Sequence, residues 1–573
     1  MYVDVVIIGA GPCGLAAAAR LREQTPSALF TSDEHARFWK RHKQQQNSLE
    51  KELKQRNSSV KSGYARHNEA QNIPNNPSML VLDDSSDQWL GSWTQRFHDL
   101  SISHVRSPLF FHPDPRDRDG LLAFAHEQGR LDELCEIPNV AGKELSKHER
   151  KAKHQRKQRR TTVRHLKIDE RDQIDYFAPS AQLFHDYCEA VVDRYKLQGL
   201  VQKAKVKDVI FTTKAAEPSR KLFTIYTEAS EVIRCRVLVI ATGASIVPSI
   251  PPSINIAETN GSTHVFEPEG TTLPPYLDKK LRESRELVTI LVVGGGLTSA
   301  QIIDLLFTRY HRRRNLRIHL LLRHAKLRVK PFDIDLPWVS KTRNHLMSSF
   351  YLADSDHERM KMLRQARNGG SVTPRYAKIL QQRKESGQLN VHVSTELDFK
   401  DARWDVESQL WHALTFRSTK AGIEPLQSSH RLPDKADHII YCTSTAPSMH
   451  DIPWLRTLRQ SHPIETLSGL PVLTEDLAWC KDVPCFFSGA LAALRLGPGA
   501  ANLMGARLGA ERIAWAVEDF IGRSSAKRSV GHERSNTTSK DKMDRLEQRT
   551  APVPYAEDFT GSFNNRFGSL SLD

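Results

Sequence analysis

Two glycine-rich turns, one at the amino terminus and one in mid-chain, constrain this sequence more than any other feature. The first lies in Val3-Asp4-Val5-Val6-Ile7-Ile8-Gly9-Ala10-Gly11-Pro12-Cys13-Gly14-Leu15, the second in Thr289-Ile290-Leu291-Val292-Val293-Gly294-Gly295-Gly296-Leu297-Thr298-Ser299-Ala300. Each reads as a β-branched strand, a GxGxxG or GxGxxS turn and the start of a helix. A single turn of this kind also serves ordinary corners. Two copies, each with strand before and helix after, point to two nucleotide sites. A chain with two such sites passes electrons between them.

At the first turn Gly9 permits the tight bend, Gly11 lets the backbone approach a pyrophosphate, and Gly14 lets the helix pack on the strand. The helix then aims its N-terminal N–H groups at the phosphates. A second strand is predicted at Ala28–Ser32, ending in Asp33-Glu34 about 20 residues beyond the last glycine, where one of the two acids accepts from a ribose hydroxyl. The second turn differs. After Gly294, Gly296 and Ser299, a helical stretch over Ala300–Thr308 leads to a strand at Leu316–Leu322. That strand ends in Arg323-His324, with Lys326 and Arg328 following and no acid. A guanidinium there suits the 2′-phosphate of NADP, which a carboxylate would repel. The second site therefore reads as one for NADPH, held by Arg323.

The 573 residues suffice for two or three domains. No run reaches the roughly 18 apolar residues of a membrane span. A cleavable leader would remove the first turn, so a cytoplasmic protein is expected. The seven cysteines include no C-x-x-C, which fits a reducing compartment and argues against a dithiol–disulfide reductase. No clustered His/Cys spacing suggests a metal. The net charge of +15 is concentrated: Lys143 to Arg171 holds 12 Lys/Arg against 4 Asp/Glu. This run reads as a solvated insertion, with nuclear entry left open, because no aromatic residues interleave to stack nucleic-acid bases. Another polar insertion spans about 40–76, and the Ser/Lys/Arg-rich tail over 522–573 reads as disordered.

Four further segments set the organisation. Glu231–Thr242 is a predicted strand running into Ala241-Thr242-Gly243, and Asp437–Cys442 is another, running into Thr443-Ser444-Thr445-Ala446-Pro447. Small residues at such strand ends let the chain pass close to a cofactor. The second glycine turn lies between them, so an α/β fold is expected with a domain over 281–430 inserted into one built from 1–280 and 431–521. Finally, a strand from Val483 closes on Gly489, and the turn from Gly497 through Gly499 to Asn502 opens a helix to about Phe520. Its N–H groups suit a flavin ring, which gains negative charge on reduction.

The pieces GAGPCG, ATGASIVPSIP, GGGLTSA and ADHIIYCTSTAP together resemble the class B flavoprotein monooxygenases, above all the ornithine and lysine N-hydroxylases and the flavin-containing monooxygenases. The resemblance covers most of residues 1–35 and 78–520. It implies two Rossmann-like domains, FAD on the first and NADPH on the second. It also implies oxygen transfer from O2, by way of the reduced flavin, to an amine or another soft nucleophile. Ser444 stands where that family shows a glycine, and no counterpart of its amino-acid-binding residues is found, so the substrate stays open.

In similar flavoproteins the stretch corresponding to Met79–Glu127 lies against the flavin. Here it contains Trp89, Trp93 and the run His104–Pro115, whose aromatic side chains would exclude water. Arg106 suits the negative charge of reduced flavin or of an NADP phosphate, and His112 a proton relay. The alternative is a structural loop with Arg106 paired to a carboxylate. The expected function is an FAD- and NADPH-dependent hydroxylation, with O2, of a small amine-type substrate. A reductase or oxidase without oxygen insertion, and a non-catalytic regulatory flavoprotein, are the other readings.

Overall fold

A computed structural model describes residues 1–23, 77–141, 170–213, 221–243, 261–267, 270–311, 315–340, 342–398, 401–419, 432–443 and 447–533. The expected strand at 28–32 with Asp33 and Glu34, the insertion at 40–76, the basic run up to residue 169, residues 244–252 and Ser444 lie outside them, as does the tail beyond 533.

Strand β1 (Tyr2–Ile8) is rich in Val and Ile and buried on both faces, as a central parallel strand is. It stops at Gly9, and α1 (Pro12–Arg22) begins with Gly11 as its N-cap and Pro12 in the first turn, where a missing N–H costs nothing. Of the two strands paired in parallel with β1, the one that follows α1 among the described residues is β2 (Met79–Asp83). The acid ending β1's partner is therefore Asp83. The 20-residue spacing rule pointed to Asp33-Glu34 because it does not anticipate the long polar insertion that precedes β2.

The chain continues through α2 (Ala181–Arg194), β3 (Val201–Lys203), β4 (Val206–Thr213), β5 (Lys221–Thr227) and β6 (Val232–Ile240). It then builds a second sheet from β7 (Ser262–His264), β8 (Val288–Val293), α3 (Leu297–Arg309), β9 (Leu316–Leu322), the helices α4 (Arg343–Tyr351), α5 (Asp356–Arg367) and α6 (Pro374–Glu385), β10 (Leu389–Val393) and β11 (His438–Tyr441). It returns to the first sheet with β12 (Ala478–Cys480), β13 (Val483–Phe487) and the terminal helix α7 (Leu503–Glu533).

The first sheet runs β12-β13-β6-β1-β2-β3, with β5 pairing antiparallel to β6 and β4 to β5. The second runs β10-β9-β8-β11-β7, all parallel. The second sheet's strands all fall between β6 and β12 in sequence, so one Rossmann-like domain is inserted into the other. In each sheet the strand bearing the glycine turn has one earlier-wound and one later-wound neighbour: β2 and β6 flank β1, β9 and β11 flank β8. That reversal opens a crevice at the strands' carboxyl ends, where nucleotides bind.

Between β9 and β10 the chain makes a helical excursion whose apolar residues over 332–366 do not join the second domain's core, whereas Val372 and Leu380 after it do. Phe332, Ile334, Trp338, Met347, Phe350 and Leu363 are buried with the first domain instead. The stretch assigned from sequence to the 281–430 domain is thus rooted in one sheet and packed on the other. A buried pair locks the first domain's helices: Arg20 of α1 donates to Glu511 of α7 at 2.7 and 3.1 Å. Helix α7 runs to Glu533, past the expected helix end near Phe520 and into the segment expected to be disordered from 522. No proline interrupts it there, and an existing helix extends at little cost. Among the described residues no helix is long and apolar enough to cross a membrane.

Candidate dinucleotide and substrate site

The glycines of the first turn have two different jobs. Gly9 has φ +107°, and a Cβ on it would lie 2.5 Å from the carbonyl oxygen of Ala241 at the end of β6. A Cβ on Gly14 would run into the carbonyl oxygen of Gly9. Both are required by packing. Around Gly11, by contrast, nothing lies within 4 Å of a Cβ position, and α1 has no side-chain cap. An open cradle before an uncapped helix N-terminus suits an anion. Asp83 closes its far side: Oδ2 accepts from the N–H of Ala10 at 2.9 Å and Oδ1 from that of Ser85 at 3.1 Å. This is where a ribose-binding acid stands. Its signal was present in the apolar run Met79–Leu82 ahead of Asp83-Asp84. Gly243, with φ +77°, follows Ala241 and Thr242 and also faces open space. Gly489 (φ +79°) ends β13, where a Cβ would lie 3.3 Å from Cys13 Sγ.

The second turn repeats the first relation. A Cβ on Gly294 would lie 2.5 Å from the carbonyl oxygen of Cys442 at the end of β11, and Gly296 caps α3 with nothing within 4 Å. Where the first turn has Gly14, the second has buried Ser299, whose hydroxyl donates to Gly296 O at 2.7 Å. A facing loop comes close, since a Cβ on Gly370 would be 2.9 Å from Gly296 Cα. Arg323 is exposed at the end of β9. Its carbonyl accepts from the Thr419 hydroxyl at 2.7 Å. Its guanidinium makes no hydrogen bond among the described residues.

Arg106 joins the two domains. Nε donates to Pro331 O at 3.2 Å, and Nη2 lies 3.0 Å from Lys330 O, 2.7 Å from Phe332 O and 3.0 Å from Ser371 Oγ. Among the described residues no carboxylate hydrogen-bonds it. Burial pushes its pKa down to about 10, with Asp333 working in the opposite direction. A cavity of about 120 Å³ opens between the segment 106–111, the excursion and the start of α7; its lining includes Arg106, Phe111, Phe332, Asp333, Val339 and Asn502. Asn502 Nδ2 donates to Asp333 Oδ1 at 2.8 Å, and Arg367 Nη1 lies 3.4 Å from Asp333 Oδ2. Two residues expected at the site, Arg106 and Asn502, thus meet at one cavity. Asp333 joins them, although its segment gave no readable pattern. The methyl end of the Met504 side chain occupies the space that a Cβ on Gly499 would take.

His112 sits elsewhere. Its ring is buried under α7, with Nε2 donating to Arg118 O at 3.0 Å and Nδ1 accepting from Arg507 Nη2 at 2.7 Å, a tautomer assigned from its partners. Burial, and then the Arg507 guanidinium, push its pKa well below the usual value. A neutral imidazole with both nitrogens engaged is not a proton relay, and the expected catalytic role is corrected to a structural one. Its neighbour Asp114 is equally enclosed, accepting from Tyr187 Oη at 2.9 Å, Tyr195 Oη at 3.2 Å and Arg194. Trp89 is a core residue too, its indole N–H on Leu197 O at 3.1 Å.

Residues 165–443 match the family model of the L-lysine 6-monooxygenase/L-ornithine 5-monooxygenases. No curated protein matches the chain by sequence. In fold the chain is similar to the reduced form of ornithine hydroxylase from Pseudomonas aeruginosa, with a TM-score of 0.53 and 16% identity over 91% of this chain and 100% of that one. It is similar to the Kutzneria sp. 744 ornithine N-hydroxylase solved with reduced FAD, NADP+ and L-ornithine, with a TM-score of 0.55 and 16% identity over 91% and 99%. It is also similar to the FAD-bound cadaverine monooxygenase of desferrioxamine biosynthesis from Erwinia amylovora, with a TM-score of 0.53 and 13% identity over 91% and 95%. The matched stretch takes in β6, the whole second turn and the excursion that carries Asp333.

Proposed function

We propose that this chain is an FAD-dependent monooxygenase that uses NADPH and O2 to hydroxylate the nitrogen of a small amine. The observation that carries the reading is the pair of open glycine turns, each at the end of a parallel strand and before a helix without a side-chain cap. The first turn fits FAD: the open space at Gly11 admits a pyrophosphate, Asp83 a ribose, and Ala241–Gly243 leaves room alongside. The second fits NADPH: Gly296 offers the same open space, and the strand end carries cations where an acid would exclude a 2′-phosphate. Bound FAD, once reduced, supplies the electrons with which O2 is activated. The protein's own part is to shape the cavity. Phe111, Phe332 and Val339 keep water out, and Arg106 sets a positive charge where negative charge develops. Asp333, oriented by Asn502, accepts an N–H of the amine.

The test is a panel of diamines and basic amino acids supplied with NADPH and labelled O2. The purified protein should be yellow. With the right amine it should consume NADPH faster and yield an N-hydroxylated product that carries the label. Equal turnover of an artificial electron acceptor with and without O2, and no label in any product, would make it a reductase instead.

A further inference from the structure

Three cation-forming side chains crowd the carboxyl end of β9. His324 Nδ1 lies 3.5 Å from Arg328 Nη2. Both side chains pass over Gly369, where a Cβ would be 2.9 Å from Arg328 Nη1 and 3.0 Å from His324 Nε2. Gly369 has φ +83°, and its neighbour Gly370 abuts Gly296. The pair therefore stands one residue away from the loop that touches the second nucleotide cradle.

Among the described residues the surroundings of the pair lack an anion. The charged groups acting on His324 are Arg328 and Arg323. The facing loop offers glycine backbone, and the turn after β10 offers the N–H of Ser394, which binds His324 O at 2.9 Å. Among the described residues no carboxylate faces the imidazole. Arg328 Nη1 is shut away from water with no partner among the described residues, a cost that an incoming acceptor removes. Partial burial and the two guanidiniums push the His324 pKa below its usual value, so the ring is neutral at pH 7 in the free protein.

We infer that His324 and Arg328 bind the 2′-phosphate of the nicotinamide nucleotide, with Arg323 outside them, and that His324 takes up a proton from water when the phosphate arrives. The inference rests on reading the second turn as the NADPH site. A phosphate dianion reverses the electrostatics around the imidazole and favours its charged form. Linkage then requires that the preference for NADP+ over NAD+ grow as pH falls, by up to about tenfold per pH unit between the free and bound pKa values of His324.

The experiment is calorimetric titration of the FAD-loaded protein with NADP+ and with NAD+, in two buffers of different ionisation heat, at pH 6.5 and 8.5. NADP+ should bind with net proton uptake at pH 6.5 and NAD+ without it. A bound phosphate releases protons of its own, and His324→Gln retains that contribution, so the difference between the two proteins isolates the imidazole. His324→Gln should weaken NADP+ several-fold at pH 6.5, barely at pH 8.5, and leave NAD+ unchanged. Arg328→Ala should weaken NADP+ by about 10- to 100-fold at both pH values. Unchanged proton uptake in His324→Gln, or a preference lost in Arg323→Ala but kept in Arg328→Ala, overturns the inference. Equal binding of both nucleotides overturns it while sparing the second turn as a nucleotide site. A yellow protein that binds neither overturns the reading of that turn as well.

Discussion

The two glycine turns solve one packing problem with different residues. Gly9 lies under the carbonyl of Ala241, and Gly294 lies under that of Cys442 in the same relation. They part at the third position, where Gly14 has no room for a side chain while Ser299 turns its hydroxyl back onto Gly296 O. They part again at the strand end, acidic Asp83 in one and Arg323, His324 and Arg328 in the other. What repeats is what the backbone needs in order to leave a parallel sheet. What differs is set by the ligand.

The comparison breaks most visibly at the middle glycines. Gly11→Val and Gly296→Val add a side chain to open space, so both proteins should fold. Gly11→Val should be colourless, whereas Gly296→Val should stay yellow and lose reduction by NADPH. Gly9→Val and Gly294→Val, strained at positive φ and driven into a carbonyl, should instead yield little soluble protein. Visible absorbance and circular dichroism separate the cases. Full flavin occupancy in Gly11→Val would remove the first turn from the FAD site.

A smaller effect distinguishes how the first turn is held. Helix α1 is anchored through Arg20 to Glu511, both buried, and removing one charge strands the other. Glu511→Gln should cost about 3–5 kcal/mol in denaturant unfolding. Flavin should be released in the same transition, since α1 carries the N-terminus proposed to hold the pyrophosphate. Flavin loss well before unfolding would show that the turn keeps its shape without the pair.

The fold was legible where local sequence and tertiary role coincide. The runs Val3–Ile8 and Ile290–Val293 need no context to read as buried parallel strands, and the glycine spacings announce their helices. Asp33 and Glu34 lie outside the described residues, and the acid that ends β2 is Asp83, which a spacing rule does not reach because a long polar stretch separates α1 from β2 and such rules count residues, not strand neighbours. His112 was misread because burial under α7 depends on a helix that begins near residue 503. Asp333 was invisible for a similar reason: its partners Asn502 and Arg367 are distant in sequence, and only the excursion's burial against the first domain brings them together.

Buried histidine separates the domains at the next level. His438, in β11 beside the second turn, is fully buried with Nε2 3.1 Å from Thr263 Oγ1, and burial pushes its pKa down to about 3. A pKa lowered by folding gives stability that is complete above the unfolded value near 6.5 and is lost as pH falls toward the folded one. Between pH 7 and 5 this group should cost the inserted domain about 2 kcal/mol. His438→Gln, which keeps a partner for Thr263 but does not titrate, should flatten that slope in urea titrations at the two pH values. An unchanged slope would place the acid sensitivity elsewhere, with His112 in the first domain the next residue to replace.

The smallest expected effect sharpens the contrast at the strand ends. Sequence alone gives the 2′-phosphate to Arg323, as the residue just past β9. The structure leaves that guanidinium in solvent, where a charge contact is screened and contributes little. Arg323→Ala should therefore raise the KM for NADPH by less than about fivefold, with kcat unchanged. The effect should shrink further in 0.5 M salt, on the order of a 4–5 Å screening length. A loss of tenfold or more that persists in salt would mean that Arg323 folds inward over the nucleotide, and the strand end would then work through one dominant contact, as proposed for Asp83 at the first turn.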